Sequence, residues 1–364
     1  MYKMNNTFHK HEMLKLNIPN QFKPAKQVPR IVHKPVIQPV IQPVIKEPHV
    51  VKISPSILLN SHTSLSSKIR FKSFASDQNC QKIYSISNIG IYISSDYGAN
   101  WEISSAPTNL FWTAISCDYS GQNVIAAALQ SSSVFEILIY YSSDSGKTWN
   151  TSCLNNKNGF CVSITYNLSS FLALTTTGNI YESINNGLTW NNKMLIYNGC
   201  NSIVSNYNGQ YLFMSSSLLN GGGIYISNDY GCSWSKSATL DDCNSITCSY
   251  SGQYLAAVCN SKNSGGIHTS NDYGKTWIKR VFFNNNWINI TSDNSGQYLA
   301  ATSFCNNNGD IYLSNDFGTT WVKSNTDINN WKLVVYNKNG SFLLATTFNC
   351  LDEEMNINTY KAIN

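Results

Sequence analysis

The chain has 364 residues, 42% hydrophobic and only 12% charged, with a formal net charge of +5. This length allows one large domain plus a tail, and no apolar stretch approaches the roughly 18 residues of a membrane span. Eleven cysteines, an odd number without a tight Cys-x-x-Cys pair, argue against a disulfide framework and favour free thiols in a reducing interior.

The first sixty residues differ from the rest. Eight of the nine prolines lie at or before Pro55, and residues 1–60 carry a net charge of +7 against −2 for the remainder. Within this arm, Pro35-Val-Ile-Gln-Pro39-Val-Ile-Gln-Pro43 repeats every four residues, a spacing that blocks a regular helix and leaves an extended segment. The arm reads as a basic linker or as a docking strand whose Val-Ile pairs contact a partner or the repeat domain itself. Its scarcity of aromatics disfavours nucleic-acid binding. Met1-Tyr-Lys-Met-Asn-Asn leads into no signal-peptide-like run. A cytoplasmic location is therefore expected, with a virion or other particle as the alternative. The domain reading is an arm over 1–60 and a repeat domain over 61–364.

That domain is organised by one octapeptide, best seen in Ser270-Asn-Asp-Tyr-Gly-Lys-Thr-Trp277. Its key residues recur as Ser94, Asp96, Gly98 and Trp101, then Ser142, Asp144, Gly146 and Trp149. Next come Ser183, Asn185, Gly187 and Trp190, followed by Ser227, Asp229, Gly231 and Trp234. Ser270, Asp272, Gly274 and Trp277 make the fifth copy, and Ser314, Asp316, Gly318 and Trp321 the sixth. The tryptophans lie 48, 41, 44, 43 and 44 residues apart, the spacing of one small sheet per repeat. Each copy joins two short apolar runs, so it reads as a hairpin turn: the Asp accepts backbone N–H groups and the Gly takes a positive φ. The Trp is expected to be buried against the turn and a neighbouring sheet, a contribution of roughly 1.5–3 kcal/mol.

A second pattern precedes each copy. Its first position holds Phe71, Trp112, Cys161, Cys200, Cys243, Trp287 and Trp331, so the three cysteines read as small core residues rather than disulfide partners or ligands. Three places on stand Phe74, Ile115, Ile164, Ile203, Ile246, Ile290 and Val334. Three further stand Asp77, Asp118, Asn167, Asn206, Ser249, Asp293 and Asn337, all able to close a turn onto the backbone. The units run over about 70–110, 111–159, 160–198, 199–241, 242–284, 285–329 and 330–364. Each reads as four antiparallel strands that bury their faces only when stacked radially. The expected fold is all-β, a seven-bladed propeller whose last sheet is completed by Val50-Val-Lys-Ile-Ser or Ser56-Ile-Leu-Leu-Asn. A six-bladed ring with the last unit as a cap is the alternative.

The octapeptide resembles the BNR or Asp-box repeat, Ser/Thr-x-Asp-x-Gly-x-Thr-Trp, of sialidases, sortilin-like receptors and photosystem assembly factors. The resemblance covers about residues 70–350 and implies a propeller in which the box joins the third and fourth strands, away from the ligand face. A sialidase of this kind would need an arginine triad, but the only arginines are Arg30, Arg70 and Arg280. A glycosidase needs two carboxylates at a defined separation; Asp241, Asp242, Asp310, Asp327, Glu102, Glu136 and Glu182 are scattered over several units. One carboxylate per box is too few for calcium, which takes six to eight oxygens. No metal, cofactor or catalytic residue is therefore assigned, and His268 reads as a surface filler. The candidate binding residues are Asp241, Asp242, Arg280, Phe282 and Phe283, aromatic and charged groups of the kind that anchor protein contacts. The expected function is a non-catalytic scaffold for a protein partner. Glycan recognition by a degenerate glycosidase-like propeller, and a structural role in a particle, are the alternatives.

Overall fold

The computed structural model describes residues 56–364 apart from 65–68, 131–135, 155–159, 196–198, 218–221, 239, 241, 262–264, 282–285, 306–307, 325–330, 349–354 and 364. The arm's proline repeat therefore lies outside the described residues, as do Asp241, Phe282, Phe283 and most of the longer loops opposite the boxes. Seven four-stranded antiparallel sheets are present. Blades 1 to 6 span residues 71–103, 111–153, 161–195, 200–238, 243–281 and 286–323. Each runs from innermost to outermost strand in chain order.

Blade 7 is closed by both ends of the domain. It takes Trp331–Tyr336, Phe342–Phe348 and Met355–Ile363 from the carboxyl-terminal side, and Ser56–Ser64 as its outer strand. Ser56 pairs with Ile363 and Ser64 with Asn356, with one irregularity between Leu59 and Ser61. The closing strand thus crosses the composition change at residue 60. Six sheets carry the octapeptide turn, and the closing sheet does not.

Seven hydrophobic clusters lie between adjacent sheets. Phe71, Trp112, Cys161, Cys200, Cys243, Trp287 and Trp331 are all at most 1% exposed, as the repeat pattern requires. A β-bulge follows each of them, as between Trp112 and Ala114 or Trp287 and Asn289, and it recurs in the other five inner strands. The extra residue bends the inner strand and changes which way the following side chains point.

Two expectations are corrected. Cys243 is disulfide-bonded to Cys259, its register partner on the adjacent strand; antiparallel pairing brings the two side chains onto one face, which linear spacing hides. Cys161 and Cys200 are buried thiols outside any disulfide. His268 is buried rather than a surface filler, because its strand Gly266–Ser270 is covered on both faces.

Candidate functional site: the box face and the central channel

Each octapeptide folds by the same bonds, except that in the fourth copy the Trp234 indole N–H has no partner among the described residues. In the second copy Ser142 Oγ donates to Asp144 Oδ1 at 2.8 Å and accepts from the Gly146 N–H. Asp144 also accepts from the Thr148 N–H and Oγ, and the Trp149 indole N–H donates to the Gly146 carbonyl at 3.0 Å. These donors hold the Asp144 carboxylate down at about 2, the Thr148 backbone N–H first among them. Asp229 is also held at about 2, mainly by the Ser233 hydroxyl. In the third copy Asn185 makes the same turn uncharged, its Oδ1 accepting from the Thr189 N–H. The box carboxylates are consumed by their turns.

The residue before each box glycine also has a positive φ, from 54° at Asn186 to 64° at Tyr97. Two consecutive left-handed residues turn this side chain outward, toward the preceding blade. Phe317 packs on Tyr254 with centroids 4.4 Å apart, Tyr273 on Tyr211 at 4.7 Å, and Tyr97 on Phe342 at 6.2 Å. In these three copies the box is therefore an inter-blade clasp as well as a hairpin turn. Its tryptophans are half-buried rather than core, and they sit at the same interfaces.

The turns between first and second strands close as expected: Asp118 Oδ1 accepts from the Gln122 N–H and Asn337 Oδ1 from the Phe342 N–H. The residue after each such position contributes to a belt of backbone hydrogen bonds around the axis. Leu168 N–H donates to Tyr207 O, Tyr207 to Tyr250, Tyr250 to Asn294, Asn294 to Lys338, Lys338 to Gln78 and Gln78 to Tyr119, at 2.7–3.1 Å. Among the described residues the seventh link, from Tyr119 to Leu168, is not made. The Leu168 carbonyl accepts from the Tyr166 hydroxyl at 3.2 Å instead. Here the tyrosines gather: Tyr207 stacks on Tyr250 at 4.2 Å, and Tyr119 meets both Tyr166 and Tyr207. Lys338 Nζ lies 5.8 Å from the centre of the Tyr119 ring. Inside this cap is a cavity of about 230 Å³ lined by residues of all seven inner strands. Burial keeps the thiols of Cys117 and Cys248 on its wall protonated, the latter pushed up to about 12.

The sequence-proposed binding residues are dispersed. Arg280 runs back toward the boxes, its Nε donating to Thr269 Oγ1 at 2.9 Å, in a crevice between blades 5 and 6. Asp242 belongs to the opposite face, where its carbonyl accepts from the Asn260 N–H. Of the carboxylates weighed for catalysis, Glu182 is paired with Lys193 and Asp310 with Lys323, each at 2.8 Å. Among the described residues there is no group of three metal-ligating side chains, and no helix is long and apolar enough to cross a membrane.

These observations define a β-propeller of four-stranded antiparallel blades. No family model and no curated protein matches the chain. Among solved structures, a chain of the mitotic checkpoint complex matches with a TM-score of 0.65 at 10% identity, over 84% of this chain and 95% of that one. YCF48 bound to a D1 peptide matches with 0.62 at 14% identity, over 85% and 99%. A GH74 enzyme of Niastella koreensis matches with 0.60 at 16% identity, over 80% of this chain and 52% of the enzyme. The chain thus spans about half the length of the GH74 enzyme. At such identities the likeness concerns the fold.

Proposed function

We propose that the chain is a non-catalytic propeller scaffold that engages a protein partner through the box face of blades 3 to 5. The observation carrying this reading is a set of exposed apolar side chains from adjacent turns on that face. Leu168 is 51% exposed, Ile184 74%, Leu188 53%, Tyr230 52% and Tyr250 43%. Apolar groups gathered on one face mark interaction surfaces better than apolar groups scattered singly, and tyrosine is enriched where proteins meet. We further read the six turns as Asp-boxes in a structural role, and the basic Pro-rich arm as a tether. The committed carboxylates support a binding role over catalysis.

The test is affinity recovery from the native source with the full chain, a chain beginning at Val50, and the full chain carrying Ile184→Ser and Leu188→Ser. Both substitutions lie on exposed turn positions and should leave the melting temperature unchanged. A partner recovered stoichiometrically by the first two forms and lost with the third supports the box face. Recovery by the full chain alone moves the contact to the arm. Retention on immobilised glycans with no protein recovered overturns the reading in favour of carbohydrate recognition.

A further inference from the structure

The interfaces between blades 1 and 2 and between blades 5 and 6 are built from equivalent positions but end differently. Between blades 5 and 6 the crevice beside the boxes holds Tyr254 and Phe317 packed ring on ring, with Arg280 alongside, and leaves about 190 Å³. Between blades 1 and 2 the same three positions are Lys82, Ser145 and Ser104, and the groove there measures about 730 Å³. Two aromatic rings and a guanidinium are replaced by one alkyl ammonium and two hydroxyls. The vacated space lies within the roughly 300–1,000 Å³ of small-ligand sites.

The walls define what would fit. Ile93 and Ile103 give the groove apolar side chains, with the backbone of Gly146 beside them. A Cβ on Gly146 would come within 2.6 Å of Ile93 Cδ1, so this wall stays bare. Two ammonium groups are present: Lys82 Nζ, held by Ser145 Oγ at 2.9 Å, and that of Lys147. Of the two carboxylates, Asp144 is already occupied by the donors of its own turn; Glu102 stands on the outer strand. An apolar slot shaped by missing rings, with lysines beside it, matches a flat ring bearing a negative charge.

We propose that the groove between blades 1 and 2 binds an aromatic ring carrying an anionic group, either a free aromatic acid or a tyrosine flanked by acidic residues in a peptide. The ring takes the place of the clasp that blades 5 and 6 make internally, and its acid meets Lys82 and Lys147. This site is separate from the apolar patch on blades 3 to 5 and does not depend on it.

Calorimetric titration of the full chain tests this with 4-hydroxyphenylacetate, the uncharged 4-cresol and the peptide acetyl-Glu-Tyr-Glu-amide. At least one anionic probe should bind, and more tightly than 4-cresol; the free acid alone points to a small molecule, the peptide alone to a partner segment. Installing the clasp with Lys82→Tyr and Ser145→Phe should weaken binding at least tenfold while leaving the melting temperature equal or higher. Should that variant fail to fold, Lys147→Ala, an exposed change, should reduce the preference for the anionic probe over 4-cresol at least threefold. Absence of binding by both anionic probes overturns the proposal. So does undiminished binding to a folded clasp variant, or an unchanged preference in Lys147→Ala.

Discussion

Phe317, in the box of blade 6, stacks on Tyr254 of blade 5 with ring centroids 4.4 Å apart. The octapeptide that closes one blade therefore also fastens it to the previous one. A double-mutant cycle with Tyr254→Ala and Phe317→Ala should give a coupling of about 0.5–1.5 kcal/mol, the range for aromatic pairs beyond their buried area. The same cycle on Lys82 and Ser145, joined by one half-buried hydrogen bond, should fall at or below the lower end. Chemical denaturation of the four variants of each cycle measures both.

Tryptophans of the two repeated positions should differ in cost. Trp287 is fully buried at the head of its inner strand, so Trp287→Ala should destabilise by about 3–5 kcal/mol. Trp277 is half-buried, with its indole N–H shared between the Gly274 carbonyl and Ser237 Oγ. Its replacement by Ala should cost roughly half as much, about 2 kcal/mol. Equal losses in urea titrations would contradict the assignment of Trp277 to a clasp and Trp287 to the core.

Much of the ring was legible because a propeller repeats its physics. The spacing of the boxes, the apolar head of each inner strand and the turn-closing position three plus three residues later each report a local demand, and each was met. Ser56-Ile-Leu-Leu-Asn was one of two candidate closing strands because the last unit lacked one, and the structure uses it. What escaped the sequence depends on contacts between repeats or across strands. The partner of Phe317 is Tyr254, 63 positions earlier, and no alignment of one repeat on another reveals which blade a ring will touch. The Cys243 to Cys259 bridge follows from antiparallel register, and the bulge after Trp287 from the curvature of the inner strand. The groove between blades 1 and 2 had a signal, the polar Lys82 and Ser145 where the interface of blades 5 and 6 carries Tyr254 and Phe317, but its meaning required the pairing.

Ring closure makes the amino-terminal boundary sharp. A chain beginning at Val50 retains Ser56–Ser64 as the outer strand of blade 7 and should melt with the full chain. A chain beginning at Leu65 loses that strand and leaves Met355–Ile363 as an unpaired edge, open to pairing with other chains. It should melt lower and self-associate. Light scattering during a thermal ramp distinguishes the two, and a monodisperse, equally stable Leu65 form would refute the closure.

The boxes make stability sensitive to acid. Asp144 and Asp229 are held at about 2 in the folded chain, below the roughly 3.9 of an unfolded aspartate. A depressed carboxylate stabilises the fold above its unfolded value, and that contribution is lost as pH falls toward the folded one. The melting temperature should therefore decline between about pH 4 and pH 2, and the decline should be shallower in Asp144→Asn and Asp229→Asn. The third box shows that asparagine can make this turn, so these variants should fold at neutral pH. An unchanged acid slope in the double variant would mean that other carboxylates govern it.

The side chains of nine of the eleven cysteines are described, and their environments divide them into three groups. Cys153 and Cys232 are exposed. Cys80, Cys117, Cys161, Cys200 and Cys248 are outside any disulfide, four of them buried and Cys248 partly covered; burial pushes the thiols of Cys80 and Cys161 up to about 12. Cys243 and Cys259 are joined. Because the thiolate is the reactive form, iodoacetamide at pH 8 should label Cys153 and Cys232 in the native chain and spare the five others until it unfolds. Mass spectrometry after denaturation without reductant should then find Cys243 and Cys259 in one linked pair. Labelling of both under those conditions would remove the bridge, and early labelling of Cys161 would mean that the interface between blades 2 and 3 opens in the native state.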